Sequence, residues 1–312
     1  MASSAAVLEG GGILQHEPLQ CLQEYRLLVP EVGVGNSRLH VAARLGRHDM
    51  IAEAVAMGEM VNVCNFDGVT PLHEACAWGQ TECALTLLLA GADVNARNID
   101  AATPLCDASS RGSIDCVRLL LERGASINPW AVNVSPLHEA MLAGRWEVAL
   151  ILIAAGAELE KMDCHFGTPL HVAASLGDVN SVKVLLNSGA NVNATKINET
   201  ALHMAARKND VTLISLLLEY GADAAMRNNT GQKPRDLLAT SKSDFQECAA
   251  VFSWYESHPK TLLQICRLSI RRCLGLKGLS CVQDMHLPSP LKTYLQYGQC
   301  GSKSTCVYKN LT

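Results

Sequence analysis

An all-α solenoid, built from stacked pairs of short helices and followed by a separate short helical segment, is the fold class that the sequence predicts. Three observations point there. A four-residue string recurs six times, as Ser37-Arg-Leu-His40, Thr70-Pro-Leu-His73, Thr103-Pro-Leu-Cys106, Ser135-Pro-Leu-His138, Thr168-Pro-Leu-His171 and Thr200-Ala-Leu-His203, at spacings of 33, 33, 32, 33 and 32 residues. A glycine follows each start by 21 residues (Gly58, Gly91, Gly124, Gly156, Gly189 and Gly221), so both shortened spacings fall in one connecting loop and none inside a helix. Apolar residues make up 48% of the chain but aromatics only 4%, which leaves Ala, Leu and Val to build thin repeating layers rather than one thick core.

Residues 1–33, with Gly10-Gly11-Gly12 and Pro30, read as a partly disordered leading segment in which Leu19 to Leu28 could form one short helix. Residues 34–252 carry the repeats. In each unit Thr or Ser caps the first helix by accepting from an orphan amide, and Pro at the first helical position loses no bond. Nine residues after the cap stand Gly46, Gly79, Gly112, Gly144, Gly177 and Asn209, the residue types that tolerate a left-handed helix end. A second, apolar helix follows, as in Ala84-Leu-Thr-Leu-Leu-Leu89, and then an extended loop opens at Gly-Ala-Asp/Asn-Val-Asn. A seventh unit, starting at Gln232-Lys-Pro-Arg235, lacks both cap and histidine and reads as a polar terminal cap of the array. At these residues the chain resembles ankyrin repeats, six clear and one degenerate.

The pattern stops near Phe252. Residues 257–297 form a different segment, and 298–312 a tail for which disorder is the default expectation. In Thr261-Leu-Leu-Gln-Ile-Cys-Arg-Leu-Ser-Ile-Arg-Arg272, the residues Leu262, Cys266 and Ile270 recur at i, i+4, i+8 and so lie along one helical face, with Arg267 and Arg271 beside them. Thr261 caps, and Pro259 stops a helix from running backwards. From periodicity alone this is equally an amphipathic helix packed on the last repeat. The string, however, resembles the elongin-binding half of a SOCS box, whose pattern of Ser/Thr/Pro-Leu, Cys and an aliphatic residue is filled by Thr261, Leu262, Cys266 and Ile270. Downstream, Leu287-Pro-Ser-Pro-Leu-Lys-Thr-Tyr-Leu295 resembles the cullin-selecting half. There Leu287, Pro288, Pro290, Leu291, Tyr294 and Leu295 fill the specified places, while Ser289 stands where the family usually has an aliphatic residue.

Together the two parts resemble the ankyrin repeat and SOCS box family. The phrases Asp163 to His171 and Asn193 to His203 are similar to the subgroup that includes the member numbered thirteen. The resemblance implies a non-catalytic substrate-recognition adaptor of a ubiquitin ligase, assembled with elongin B, elongin C, cullin-5 and a RING-box protein. Leu262 would then enter an apolar pocket on elongin C, with Cys266 fitting where room is short. A protein substrate of unknown identity would sit on the array. The alternative is a plain ankyrin scaffold whose box is only a packed cap.

In ankyrin arrays the loop tips and first helices line the partner-binding groove. Candidate substrate contacts are therefore the apolar tips Phe66, Ile99, Trp130, Val132, Phe166 and Ile197, with Trp78 and Arg111 on first helices. Arg44, Arg111, Arg207 and Lys208 would give the groove a basic rim suited to an acidic or phosphorylated segment.

Other chemistries have little support. A net charge of -4 argues against a broad phosphate-binding surface, so no nucleic-acid partner is expected. No apolar stretch is long enough to span a membrane, and no membrane partner is expected. Thirteen cysteines, an odd count without any C-x-x-C pair, read as reduced and mostly buried thiols of a cytoplasmic or nuclear protein. The recurring histidines hold their place in every repeat but the third, which predicts structural hydrogen bonds to loop backbone rather than metal binding. His73-Glu74 and His138-Glu139 lack the second histidine of a zincin. No cofactor, metal site or catalytic residue is expected.

Overall fold

The computed structural model describes residues 35–129, 135–240, 243–258 and 261–295. The leading segment, the tail, Trp130 and Val132 lie outside the described residues. Helix pairs follow one another as α1 (Arg38–Leu45) with α2 (His48–Ala56), α3 (Pro71–Trp78) with α4 (Thr81–Leu89), and α5 (Pro104–Arg111) with α6 (Ile114–Glu122). Then come α7 (Pro136–Leu142) with α8 (Trp146–Ala154), α9 (Pro169–Leu176) with α10 (Val179–Asn187), and α11 (Ala201–Lys208) with α12 (Val211–Glu219). First helices stack on first helices and second on second, giving a two-layered all-α ankyrin array. Among the described residues the β pairing is limited to two isolated bridges, Asp163 with Gly167 and Lys196 with Glu199.

Local chemistry sets the helix ends. Each first helix follows a Thr or Ser in extended conformation, and Gly46, Gly79, Gly112 and Gly177 close theirs in the left-handed region. Asn209 does the same at φ 57°, and its side chain both donates to the Ala239 carbonyl (2.8 Å) and accepts from the Ala239 amide (2.9 Å). The histidines occupy the third helical position, where a capping box ordinarily has Glu or Gln. Nδ1 of His73, His171 and His203 accepts from the backbone amide of the capping Thr at 3.2 Å. With Nδ1 accepting, Nε2 carries the proton and donates to the next loop: His40 to the Val69 carbonyl (2.8 Å), His73 to Ala102 (3.2 Å), His138 to Gly167 (2.9 Å) and His171 to Glu199 (3.1 Å). The structural role expected of these histidines is what the geometry delivers. His203 keeps the cap, but its Nε2 falls short of a hydrogen bond, since the following unit departs from the pattern.

A second ladder joins the loops. Asn62, Asn95, Asn128 and Asn193 each donate to the carbonyl of the glycine that opens the next loop, at 3.0–3.4 Å, and accept from an amide two residues beyond it. Glu160 takes the equivalent place and accepts from the Asn191 amide at 2.6 Å. Between the layers the core is a continuous run of small and branched side chains, with Leu72, Leu105, Leu137, Leu170 and Leu202 at equivalent positions and essentially inaccessible. Burying each such leucine stabilises the stack by about 1.5–3 kcal/mol.

The seventh unit is reduced as expected. A 3-10 turn (Pro234–Leu237) replaces the first helix, capped by the Asp236 carboxylate accepting from the Lys233 amide (2.9 Å), and α13 (Phe245–Ser257) closes the array with Phe252 fully buried. The box contains α14 (Leu262–Ser280), a 3-10 turn (Val282–Asp284) and α15 (Ser289–Leu295) around a core of its own, Val282 and Leu295 with Leu274, Met285, Leu287 and Leu291 against them. The expectation of mostly buried thiols holds for only half of the described cysteines. Cys76, Cys83, Cys106, Cys116 and Cys248 are buried, whereas Cys64, Cys164, Cys266, Cys273 and Cys281 are exposed. Burial pushes Cys83, Cys106 and Cys248 up to about 11, so these thiols stay protonated at neutral pH.

Candidate protein-docking surfaces

Thr261 and Gln264 start α14 with a reciprocal cap: the Thr261 amide donates to Gln264 Oε1 (2.9 Å) and the Gln264 amide to Thr261 Oγ1 (3.3 Å). This cap presents the first turn rather than burying it. Leu262 is 78% exposed, Leu263 59%, Ile265 47% and Ile270 40%, and Cys266 is exposed with them. Four large aliphatic side chains on one helix, open to solvent, form the kind of surface that normally meets a partner. The opposite side of α14 faces the chain itself. Leu268 packs on Gly221, whose added Cβ would lie 2.9 Å from the leucine Cδ1.

The two arginines expected beside the ridge are instead buried, at 7% and 8% exposure. One residue of helical offset from Cys266 and Ile270 turns them about 100° away, into the fold. Arg267 lies over the Tyr294 ring, 4.5 Å from its centroid. Arg271 donates to the carbonyls of Leu186, Asn187 and Leu295.

Of the residues in the second half of the box, Pro288 and Pro290 are exposed, while Leu287, Leu291 and Tyr294 are half-buried. Leu295, expected at the cullin-facing edge, is instead turned inward. At 2% exposure it belongs to the box core, because the last turn of α15 points it at Val282, and its side chain is not available to a partner.

Along the array the tip residues are open: Phe66 is 76% exposed, Ile99 70%, Ile197 71% and Phe166 41%. Phe66 lies against Gly35, and Phe166 against the His165 ring at 6.5 Å between centroids. Ile197 is presented at φ 51°, followed by Asn198 at φ 61°, in a two-residue turn closed by the Lys196 and Glu199 backbones (2.8 and 2.9 Å). A β-branched residue there costs about 1–2 kcal/mol, with no burial in return. Trp78 is 51% exposed at the end of α3, and Arg111 is exposed one unit later.

The groove is mixed in sign rather than rimmed in basic charge. Arg207 is committed to Glu199 (2.7 Å from Nη1), beside an open cavity of about 330 Å³ that Ile197 and Met204 also line. Glu74, Asp107 and Glu139 stand at one register on α3, α5 and α7. Burial, then repulsion from Glu139 and Glu74, pushes Asp107 up to about 7, and burial also raises Glu139. The row is hard to see in the sequence because two of its members, Glu74 and Glu139, follow a histidine and so look like zincin fragments. Their recurrence one place after the histidine position was the available signal. Among the described residues no group of His, Cys, Asp and Glu is arranged to hold a metal ion, and no helix is long and apolar enough to cross a membrane.

Comparison with known proteins places both parts. The pattern of the family described as ankyrin repeats (3 copies) is matched over residues 16–98, 87–163 and 137–228, and that of the SOCS box over residues 258–296. The chain belongs to the ankyrin repeat and SOCS box family.

Within that family, ankyrin repeat and SOCS box protein 11 of Homo sapiens is 39% identical over 163 residues, 52% of this chain and 49% of that protein. Protein 5 of Mus musculus is 41% identical over 163 residues, 52% of this chain and 48% of that protein. Protein 13 of Mus musculus is 47% identical over 139 residues, 45% of this chain and 49% of that protein. The chain thus spans about half the length of the curated relatives it matches. Among solved structures, the crystal structure of the human ASB11 ankyrin repeat domain superposes with a TM-score of 0.67 at 38% identity, covering 72% of this chain and all of that one. The ankyrin repeat domain of Bcl-3 superposes at 0.61 with 24% identity over 71% of this chain and all of that one, a likeness of fold alone.

Proposed function

We propose that this chain is a non-catalytic substrate-recognition adaptor of a cullin–RING ubiquitin ligase. Thr261, Leu262, Cys266 and Ile270 dock it on elongin C, itself paired with elongin B. Leu287, Pro288, Pro290, Leu291 and Tyr294 shape the edge presented to cullin-5, which carries the RING-box protein. The array holds a protein substrate through Phe66, Trp78, Ile99, Phe166, Ile197 and Arg111; Trp130 belongs to the same candidate set. Ubiquitin transfer is then performed by other subunits, and the adaptor contributes proximity.

The observation that carries this reading is the outward apolar ridge of α14. A box serving only as a cap for the array would turn Leu262 inward. Instead Leu268 faces the array, and the residues matching the elongin-binding pattern face solvent.

The test is co-purification of the full chain with elongins B and C, repeated with Leu262→Pro and Cys266→Phe combined. Leu262 is the first residue of α14, where proline is tolerated, so the variant removes the anchor without breaking the helix. Loss of elongin with unchanged helical circular dichroism is expected; retained binding refutes the assignment.

A further inference from the structure

Arg271 joins three helix ends that are far apart in sequence. Its Nη2 donates to the carbonyls of Leu186 (2.8 Å) and Asn187 (3.2 Å), the last two residues of α10 in the fifth repeat. Its Nη1 donates to the carbonyl of Leu295, the last residue of α15. Its guanidinium lies over the Tyr220 ring, 5.7 Å from the centroid, at the end of α12. These carbonyls stand at the negative ends of their helices, where a cation is favoured, and that of Leu186 also accepts from the Gly189 amide (3.1 Å). Tyr220 in turn donates to Asn187 Oδ1 at 2.5 Å, tying the fifth and sixth repeats together under the arginine.

The sequence carries a trace of this arrangement. In the place of Tyr220, just before the loop glycine, the other five clear repeats have Met57, Ala90, Arg123, Ala155 and Ser188. Only the unit under the box has an aromatic ring there, and the ring is 8% exposed. Gly221 beside it is the residue on which Leu268 rests.

We infer that Arg271, Tyr220 and Asn187 form a latch that fixes the orientation of the box on the fifth and sixth repeats. The planar fork of Arg271 bonds carbonyls of both parts at once, so tilting the box would strip a buried guanidinium of its partners. Arg271 is thereby a positioning residue: it sets where a protein held on the array stands relative to whatever binds the α14 ridge. That use of the latch rests on the adaptor reading above; the latch itself does not.

The experiment is hydrogen exchange on the full chain, wild type against Arg271→Gln, Arg271→Lys and Tyr220→Leu, with elongin C capture measured in parallel. Charge-assisted hydrogen bonds of this kind predict that Arg271→Gln speeds exchange ~tenfold or more at both Tyr220–Ala222 and Thr293–Leu295. Arg271→Lys, which keeps the charge but not the fork, should recover part of that protection. Elongin C capture should persist in all three, since the ridge lies on the other face. Unchanged exchange at either segment in Arg271→Gln overturns the latch, because the two ends would then not be joined through this side chain.

Should Arg271→Gln unfold the box outright, Tyr220→Leu decides. It leaves the bonds of Arg271 to Leu295, Leu186 and Asn187 in place and removes the ring under the guanidinium and the Tyr220–Asn187 bond. A latch requires faster exchange at the α10 and α12 ends and a broadened small-angle scattering distance distribution with capture retained; an unchanged distribution overturns it. A wild-type chain that shows the coupled exchange but captures no elongin C keeps the latch and refutes the adaptor reading. Capture with exchange indifferent to Arg271 does the reverse.

Discussion

His138 illustrates how a single side chain serves two repeats at once. Its Nδ1 lies 2.8 Å from Ser135 Oγ at the start of α7, and its Nε2 donates across the layer to the Gly167 carbonyl. Replacing it with alanine removes both and leaves the Gly167 carbonyl with only its bond from the Asp163 amide. The expected loss is about 1–3 kcal/mol in denaturant unfolding, from two side-chain hydrogen bonds, since the backbone amide at this position still donates to Ser135. His203→Ala should lose less, since its Nε2 makes no well-formed hydrogen bond among the described residues. Equal losses for the two variants would mean that the inter-repeat bond contributes nothing. The recurring histidine made this role legible from sequence. The matching role of Asn62, Asn95, Asn128 and Asn193 was equally periodic, yet a short polar residue in a loop gives no hint of which carbonyl it reaches.

Helix α14 shows where sequence periodicity stops being informative. The i, i+4, i+8 spacing identifies one apolar face, and that face is exposed. It does not say that the neighbouring arginines would be buried, because arginine on an amphipathic helix ordinarily snorkels to water. Their partners are backbone carbonyls and aromatic rings, whose availability depends on how α10, α12 and α15 end rather than on any local pattern. The composition of the box suggests that it is partly unfolded without a partner, since so small a unit buries little surface by itself. Its contacts with the array divide it. In hydrogen exchange on the isolated protein, amides in the first turns of α14, from Leu263 to Cys266, should exchange fast and be slowed on binding elongin C. Persistence of fast exchange there in the complex would separate the ridge from the binding site.

For the molecule as a whole, the histidines set an acid limit. His40, His73, His138, His171 and His203 are all held below their ordinary value of 6.5, chiefly by burial. The unfolded chain takes up these protons as pH falls through about 6.5 while the folded one resists, so stability drops over that range. Asp107 works the other way: raised to about 7, it binds its proton more tightly when folded, and its contribution fades as pH rises from about 4 to 7. Urea midpoints should therefore fall between pH 6.5 and 5, and Asp107→Asn should raise the midpoint more at pH 8 than at pH 4. In an Asp107→Asn background, where that opposing carboxyl is gone, a midpoint flat from pH 7 to 5 would contradict neutral, Nε2-protonated histidines. The six-unit array was legible because one unit is repeated; the side-by-side carboxyls of Glu74, Asp107 and Glu139 became electrostatic neighbours only once the units were stacked.

Among the described residues, the histidine, asparagine and Glu160 rungs that tie one clear repeat to the next each span a single unit boundary. The array is therefore extensible by whole modules. Splicing a duplicate of the unit that begins at Thr70 between its neighbours would lengthen the gripping surface and carry the Trp78 side chain along twice. The ridge and its latch on the last two clear repeats would be untouched, so the length of the array could change in evolution without any change at its carboxyl-terminal end.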